Sequence, residues 1–141
     1  MAIRSIFADT GYFIAILSPT DSLHARAVKV AKMLAAKRTA IVTTEAVLIE
    51  TLDGFARYHH RSIAAMLVRE LENDSDVDIV PTTTARFRAA HELYSDRSDK
   101  TWGMTDCISF VVMRERKIKQ ALTADRHFIQ AGFEALLSLN R

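Results

Sequence analysis

Four acidic residues stand where the sequence is otherwise apolar or begins a new element, and they are the first candidates for chemistry. Asp9 and Asp125 each follow a short apolar run, Asp106 begins a helical pattern after a polar loop, and Glu50 lies inside an apolar segment. Carboxylates that meet in space repel one another and stay ionised only when a cation neutralises them. Oxygen ligands of this kind suit Mg²⁺ or Mn²⁺ rather than zinc. One interpretation of these acids is therefore a divalent metal site.

Each of these acids also has a purely structural interpretation. An Asp at the junction of a strand and a helix often caps the helix, which applies to Asp9 and to Asp125. Asp106 would complement the positive end of a helix dipole, and Glu50 would lie on an exposed stripe of its helix. His127, two residues after Asp125, either supports the acids from behind or is an ordinary packed or surface histidine.

Other catalytic patterns find little support in the sequence. There is no Cys/His spacing typical of a zinc site, and neither Ser98 nor Ser109 lies in a G-x-S-x-G context. His59 and His60 are adjacent, so their rings would diverge on a helix. Glycine-rich phosphate-binding loops are absent. Cys107 lies at the start of an apolar helix and is interpreted as a small core residue.

The basic residues occur in runs, although the formal net charge is only +2, from 19 basic and 17 acidic residues. These runs lie in segments 26–38, 57–61 and 114–119. They are either solvated helix faces or contacts for the phosphates of a nucleic acid. Carboxylates that hold a metal, together with basic helices, fit the hydrolysis of a phosphodiester bond.

Length and composition limit the class of protein. A chain of 141 residues with 49% hydrophobic and 26% charged residues is expected to form one globular domain over 1–141. The apolar runs are too short to span a bilayer and no signal-peptide pattern precedes them, so we expect a cytoplasmic protein without a membrane partner. The single cysteine, Cys107, cannot form an internal disulfide, which agrees with a reducing compartment.

Short apolar runs alternate with longer stretches of helical periodicity. The expected strands span residues 3–8, 39–43, 77–80, 120–123 and 133–139. Helices are expected over residues 11–17, over about 15 residues that follow a cap at Asp21 or Ser22, and over residues 45–58 after a cap at Thr44. Further helices are expected over residues 61–72, from Thr83 or Thr84 to residue 94, and over residues 106–116 after a cap at Thr105. A short helical turn is expected after Asp125. This alternation predicts an α/β fold, a three-layer α/β/α sandwich with a mostly parallel central sheet.

In an open parallel sheet, ligands bind beyond the carboxyl ends of the strands. The strands that end before Asp9 and Asp125 therefore deliver both carboxylates to the same edge of the sheet. This rule constrains Asp106 less, because its helix begins near that edge only if the preceding loop crosses back to it.

Four segments, in order and almost from end to end of the chain, resemble the motifs of the PIN-domain family, in particular its VapC type of toxin ribonuclease. They are Phe7–Phe13 (FADTGYF), Val42–Glu50 (VTTEAVLIE), Met104–Phe110 (MTDCISF) and Ala121–Phe128 (ALTADRHF). Their shared order in a chain of this length is what makes the resemblance specific.

The resemblance implies a PIN-like sandwich and a Mg²⁺- or Mn²⁺-dependent endoribonuclease, the toxin of a type II toxin–antitoxin pair. It implies catalytic roles for Asp9, Glu50, Asp106 and Asp125, and metal binding by the three aspartates. It further implies an RNA substrate, a small antitoxin protein as partner and a homodimer. Thr105 matches a position at which the family often carries a small hydroxyl residue.

Two further acids and two other classes of function stay open. Glu45 competes with Glu50 for the place after the second strand, although the Val-Leu-x-Glu pattern favours Glu50, and Asp99 is a candidate auxiliary acid. A PIN-like fold also suits a catalytically inactive or housekeeping protein that binds or processes RNA. A small phosphatase or a DNA nuclease would use the same acids, since a carboxylate–metal site does not itself distinguish ribose from deoxyribose.

Overall fold

The computed structural model describes residues 4–57 and 60–138, and its centre is a five-stranded sheet. The strands are β1 (Ser5–Ala8), β2 (Ala40–Thr44), β3 (Val77–Val80), β4 (Gln120–Leu122) and β5 (Glu134–Ala135), in the spatial order β3-β2-β1-β4-β5. Every pair of neighbouring strands is parallel. The prediction of an α/β fold with a mostly parallel sheet is therefore confirmed.

Helices connect the strands on both sides of this sheet. They are α1 (Thr10–Leu17), α2 (His24–Ala36), α3 (Glu45–Gly54), α4 (His60–Asn73), α5 (Thr84–Asp96), α6 (Met104–Glu115) and α7 (Arg126–Gln130). Within residues 4–57 and 60–138, no helix is long and apolar enough to cross a membrane.

The order of the strands places a point of reversal beside β1. From β1 the chain moves outward to β2 and β3, and it then returns past β1 to β4 and β5. Because connections between parallel strands are right-handed, the reversal moves the later helices to the opposite face of the sheet. Accordingly, α1, α2 and α4 line one cleft with Ile41 and Val77, whereas α5 packs on α6 and α6 contacts β2. Ligands bind at such a reversal in parallel sheets, which here lies between β1 and β4.

A group of buried aromatic rings fixes the later helices against β1. The rings of Phe110 in α6 and Phe128 in α7 lie nearly perpendicular with 5.0 Å between their centroids, and Phe7 of β1 lies 6.3 Å from Phe128. Trp102 packs edge-on against Phe110 at 5.0 Å. These contacts set where α6 and α7 begin relative to the sheet. Cys107 is fully buried in the same core, as its sequence context indicated.

The predicted start of α2 is wrong. The helix begins at His24 with Leu23 as its N-cap residue, and neither Asp21 nor Ser22 caps it. The Asp21 carboxylate instead accepts a hydrogen bond from the backbone N–H of Leu23 at 2.9 Å. This side chain therefore stabilises the turn before the helix, a competing use of Asp that sequence alone does not separate from capping.

The predicted cap of α6 is also wrong. The helix begins at Met104, and Gly103 rather than Thr105 occupies the N-cap position. Glycine offers no capping side chain, but the Asp106 carboxylate reaches back to the backbone N–H of Gly103 at 3.3 Å. This hydrogen bond is one half of a capping box. The helix therefore begins two residues earlier than predicted.

The remaining element boundaries agree with the sequence to within a few residues. The caps at Thr44 and Thr83 are confirmed, because each hydroxyl accepts a hydrogen bond from a backbone N–H three residues later. Helix α3 ends at Gly54, four residues earlier than predicted, and β5 spans only two residues. The predicted boundaries at Ile3, Tyr58 and Leu139, and the ring of His59, lie outside the described residues.

Candidate active site

Asp9 lies between β1 and α1, beside the reversal of the sheet. It is buried, with 6% of its surface exposed, and its backbone N–H donates to the carbonyl of Leu122 at 3.3 Å. Its carboxylate accepts a hydrogen bond from the Thr123 hydroxyl, with 2.9 Å between Oγ1 and Oδ2. Asp9 occupies the N-cap position of α1, but its carboxylate makes no capping hydrogen bond, so capping does not account for this carboxylate.

Burial raises the pKa of Asp9 from 3.8 to about 7. The hydrogen bonds from Thr123 and from the backbone of Thr10 oppose this rise, whereas the charges of Asp106 and Asp125 add to it. Among the described side chains, the buried Thr10 hydroxyl beside Asp9 finds no hydrogen-bond partner. A cation beside the Asp9 carboxylate would offset both the desolvation of Asp9 and its repulsion by Asp106 and Asp125.

Asp125 follows β4, the strand next to β1, and is the N-cap residue of α7. Its Oδ1 accepts a hydrogen bond from the backbone N–H of His127 at 2.9 Å, so the capping interpretation of Asp125 is confirmed. Its own N–H donates to the Thr123 hydroxyl at 3.0 Å. The Thr123 hydroxyl thus joins Asp9 to Asp125, and 39% of the Asp125 side chain still faces solvent. Capping and ligand binding are compatible here, because a carboxylate can accept several interactions.

Asp106 reaches the same pocket from the first turn of α6. Its Oδ2 lies 3.0 Å from Nδ1 of His127 and also accepts the N–H of Gly103. Burial raises the pKa of Asp106, the hydrogen bond with His127 opposes that rise, and the charge of Asp125 adds to it. Asp106 and Asp125 therefore arrive from two different helices at one imidazole.

Three side chains form a group with the spacing of metal ligands. One ligand atom each from Asp106, Asp125 and His127 lies within 4.8 Å of the others. Asp9 lies next to this group, because the Thr123 hydroxyl bonds both its carboxylate and the backbone N–H of Asp125. Mg²⁺ binds carboxylate oxygens, and Mn²⁺ binds both carboxylate oxygens and imidazole nitrogen. The donor set therefore fits a divalent cation.

His127 belongs to this group, although the sequence left its role open. Its Nε2 lies 3.1 Å from the Thr101 hydroxyl, and its Nδ1 faces Asp106 at 3.0 Å and Asp125 at 3.5 Å. Because an ionised carboxylate only accepts hydrogen bonds, Nδ1–H donates to Asp106 and Nε2 accepts from the Thr101 hydroxyl. With a metal bound at Nδ1, the proton would instead lie on Nε2 and be donated to Thr101, as is usual for an imidazole that binds a metal. The sequence signal was the two-residue spacing from Asp125, but it could not reveal Asp106 across the pocket.

Glu50 lies outside this group in the part of the chain that the structure describes. Glu50 is exposed on α3. Gly54 stands one turn later on the same face of α3, where a Cβ would lie 3.9 Å from Cδ1 of Ile14 in α1. Glu50 lies one turn before Gly54, nearer the carboxyl edge of the sheet, and it is exposed. Its catalytic role stays a prediction.

The two alternative acids are engaged elsewhere. Glu45 accepts a hydrogen bond from the backbone N–H of Thr82 at 2.8 Å, which ties α3 to the loop after β3. Asp99 pairs with Arg97 at 2.9 Å and with Lys100 at 3.7 Å, and its hydrogen bond with Arg97 lowers the pKa of Asp99 to about 2. Among the described residues, neither acid joins the metal-binding group.

Two threonines that the sequence did not single out organise the pocket. Thr123 holds Asp9 and the loop of Asp125, and Thr101 holds His127. Thr105, to which the family resemblance pointed, lies beside Asp106 in α6, and its carbonyl accepts the Ser109 hydroxyl at 2.9 Å. The only advance signal for Thr123 was its place at the end of the fourth predicted strand.

The fold and the position of these aspartates define the class of this domain. It is a parallel α/β sandwich with an acidic candidate site at the reversal of its sheet. The PIN-domain family matches residues 6–134 of the chain. The chain therefore belongs to the PIN-domain family.

Relatives with assigned activities share this fold. The chain is 28% identical over 130 residues to the 23S rRNA-specific endonuclease VapC20 of Mycobacterium tuberculosis, which covers 91% of this chain and 95% of the relative. The crystal structure of VapC20, described as a toxin that cleaves the sarcin–ricin loop, matches with a TM-score of 0.78 at 27% identity, over 91% of this chain and 95% of that one. VapBC2 from Rickettsia felis matches with a TM-score of 0.67 at 12% identity, over 94% and 97% of the two chains.

Proposed function

We propose that this protein is a metal-dependent endoribonuclease and the toxin of a type II toxin–antitoxin pair. The observation that carries the proposal is the arrival of Asp9, Asp106 and Asp125 in one pocket from β1, α6 and the end of β4. Such a pocket is suited to phosphodiester hydrolysis. The similarity to VapC20, which is named as an rRNA-specific endonuclease and a toxin, supports RNA as the substrate.

In this proposal, Asp106 and Asp125 hold a Mg²⁺ or Mn²⁺ ion, with Asp9 beside them and Nδ1 of His127 as a further donor. Such an ion, when bound, polarises a phosphoryl oxygen and lowers the pKa of bound water. The three carboxylates alone would repel the RNA backbone, so we expect no cleavage without the metal. Glu50 stays the fourth proposed catalytic acid.

The hydroxyls around the pocket position these groups. Thr123 directs one oxygen of Asp9 and fixes the backbone of Asp125, and Thr101 fixes the ring of His127. Side chains that are held before the substrate arrives lose less entropy when they bind it. The burial of Asp9 also strengthens its interaction with any positive charge in the pocket.

Protein partners are part of the proposal. Exposed apolar side chains on α3 and α4, among them Ile49, Ile63 and Met66, offer surface for an antitoxin or for a homodimer. The family match over residues 6–134 supports one domain over 1–141. We propose that the protein acts in the cytoplasm, where its unpaired Cys107 would stay reduced. Expression should arrest growth, and co-expression of a small protein from a neighbouring gene should relieve the arrest.

Cleavage of a generic single-stranded RNA tests the activity. The wild type should cleave with Mg²⁺ or Mn²⁺ and lose all cleavage in EDTA. Asp9→Asn, Asp106→Asn and Asp125→Asn should each lower the rate at least about 100-fold, whereas Asp53→Asn, a change at an exposed acid on α3, should not. Cleavage that survives full chelation would contradict the metal mechanism.

The exposure of Glu50 favours a second candidate, a catalytically inactive relative that binds or processes RNA. This protein would keep the fold but show no metal-dependent cleavage. Calorimetric titration with Mn²⁺ separates the two candidates, because the nuclease should bind the ion and lose that binding in Asp106→Asn. Absence of Mn²⁺ binding by the wild type would favour the inactive relative.

A further inference from the structure

A basic cleft lies at the edge of the sheet opposite the acids. It has a volume of about 520 Å³ and opens at the amino-terminal ends of β1, β4 and β5. Among its described lining residues, Arg4, Arg116, Lys117 and Lys119 are cationic and Glu134 is the single acid. All four cations are exposed, so the cleft presents positive charge to solvent.

Part of this charge is neutralised within the protein, and an excess is left. Arg116 forms an ion pair with Asp78 of β3. Glu134 accepts a hydrogen bond from Gln120 at 2.9 Å. With both acids counted against the four cations, the cleft still carries net positive charge. The chain as a whole is close to neutral, at +2, so this excess is local.

Lys117 has a backbone conformation at which glycine is the usual residue. Lys117 ends α6 with a φ of 56°, a conformation that is usual for glycine and costly for other residues. The N–H of Ile118 donates to the carbonyl of Met113 at 2.9 Å, which closes the helix around this conformation. Arg38 ends α2 in the same way, with a φ of 51°. The guanidinium of Arg38 pairs with Asp76 at 3.4 Å, whereas Lys117 lines the cleft.

We propose that this basic cleft binds the phosphodiester backbone of the RNA substrate, outside the segment that is cleaved. The proposal rests on the proposed ribonuclease function, because it assigns a second contact to the same substrate. Lysine and arginine contacts to phosphates release counterions and position an RNA without reading its bases.

The two regions are separated by the length of a strand. Arg4 and Asp9 are joined by five residue steps through β1, which span about 17 Å in extended chain. Because β1 is buried between the two regions, an RNA must pass around the fold and so continue for several nucleotides beyond the cut to reach both. The cleft should therefore affect long substrates and leave very short ones unchanged.

The double variant Lys117→Gln/Lys119→Gln tests the cleft. Fluorescence anisotropy with a 30-nucleotide single-stranded RNA, measured in EDTA over a series of salt concentrations, reports the affinity. We expect at least about fivefold weaker binding at low salt, and a slope of log K against log salt that is smaller by about 1.4. The matched control is Lys29→Gln/Lys32→Gln, at two exposed lysines of α2, which should bind within about twofold of the wild type.

Lys117→Gly separates the loss of charge from a loss of folding. Glycine adopts the positive φ at this position without strain, so the thermal midpoint should stay the same or rise while binding of the long RNA weakens. An unchanged affinity and salt slope in the double variant would overturn the proposal. An equal loss in the α2 control pair would overturn it as well, because the effect would then be general to the charge of the protein.

Cleavage of a four-nucleotide RNA distinguishes this proposal from the proposed function. The double variant should cleave it at the wild-type rate with Mg²⁺ or Mn²⁺. If the wild type cleaves no RNA but the double variant still binds long RNA more weakly, the ribonuclease function fails and the cleft remains an RNA-binding surface. If cleavage occurs and the cleft variants bind as the wild type does, the cleft proposal fails alone.

Discussion

Asp9 is a carboxylate whose burial opposes its own ionisation. Its pKa is raised to about 7 by desolvation, and the neighbouring Asp106 and Asp125 add to that rise. Only the Thr123 hydroxyl and the backbone at Thr10 act in the other direction. In the absence of a cation, the ionised form of Asp9 therefore destabilises the fold, and perturbed carboxylates of this kind are typical of functional sites.

We predict that Asp9→Asn stabilises the metal-free protein in a pH-dependent way. The folded-state pKa of about 7 exceeds the unfolded value of 3.8, so the stability that protonated Asp9 contributes is present below about pH 4 and is lost as the pH rises to about 7. Asparagine does not titrate, and the variant should gain up to about 4 kcal/mol over the wild type at pH 8, relative to their difference at pH 4. Urea unfolding in EDTA measures this gain. Asp53→Asn is the control, and an equal difference for Asp9→Asn at both pH values would contradict the prediction.

The ring of His127 supplies the nitrogen of the proposed metal site. Imidazole nitrogen is a better ligand for Mn²⁺ than for Mg²⁺, which prefers oxygen. The Thr101 hydroxyl, 3.1 Å from Nε2, can accept the Nε2 proton when Nδ1 binds an ion. His127 should therefore contribute more to the binding of Mn²⁺ than of Mg²⁺.

We predict that His127→Ala lowers the affinity for Mn²⁺ at least about tenfold and the affinity for Mg²⁺ less. Thr101→Val, which removes the partner of Nε2 but keeps the ring, should show a smaller loss in the same direction. Calorimetric titration measures both affinities, and the nitrogen coupling of imidazole should appear in the electron paramagnetic resonance of bound Mn²⁺. Equal losses for both ions, without nitrogen coupling, would show that His127 is not a ligand.

At the scale of elements, the site depends on the junction between β4 and α7. One hydroxyl, that of Thr123, connects the buried Asp9 to the backbone that begins α7. Asp125 then caps α7 through the N–H of His127. The two strand ends are therefore joined by hydrogen bonds as well as by the sheet, and a change at Thr123 should disturb both acids together.

We predict that Thr123→Val destabilises the protein by about 1–3 kcal/mol, because the methyl group leaves the buried oxygen of Asp9 and the N–H of Asp125 without a partner. Thr123→Ser keeps the hydroxyl and should restore most of the stability and of the metal affinity. Urea unfolding and Mn²⁺ titration measure the two effects. If the valine and serine variants behave alike, the hydroxyl does not organise the pocket.

The elements also show how far sequence reasoning reached and why it stopped. The strands that end before Asp9 and Asp125 could be predicted, because short β-branched and apolar runs bounded by polar residues are local signals. The start of α6 at Gly103 could not, since a glycine N-cap has no side chain to recognise. The meeting of Asp106 and His127 depends on the packing of Phe110 against Phe128, a contact between distant segments that no local pattern encodes. Glu50 was indicated by its apolar surroundings, yet it lies on an exposed face of α3.

At the scale of the whole molecule, the parallel sheet separates two regions of opposite charge. The carboxyl ends of β1 and β4 lead to the acids, and the amino ends of the same strands border the basic cleft. Because all neighbouring strands are parallel, acids placed after the strands and cations placed before them collect at opposite edges. At the acidic edge the charge of Asp9 is also buried, so the stability of the whole fold should depend on a divalent cation.

We predict that Mn²⁺ at 100 times its dissociation constant stabilises the wild type by about 2.7 kcal/mol, since the ion binds the folded state and not the unfolded chain. For a domain of this size, that corresponds to a rise of about 5–10 °C in the thermal midpoint. Asp106→Asn removes one ligand and should abolish most of the rise, whereas Asp53→Asn should keep it. The rise should begin near the dissociation constant measured by calorimetry and should grow with the logarithm of the Mn²⁺ concentration above it. A rise of equal size in the Asp106→Asn variant would show that Mn²⁺ stabilises the protein from some other part of its surface, and that the acids at the reversal of the sheet do not hold it.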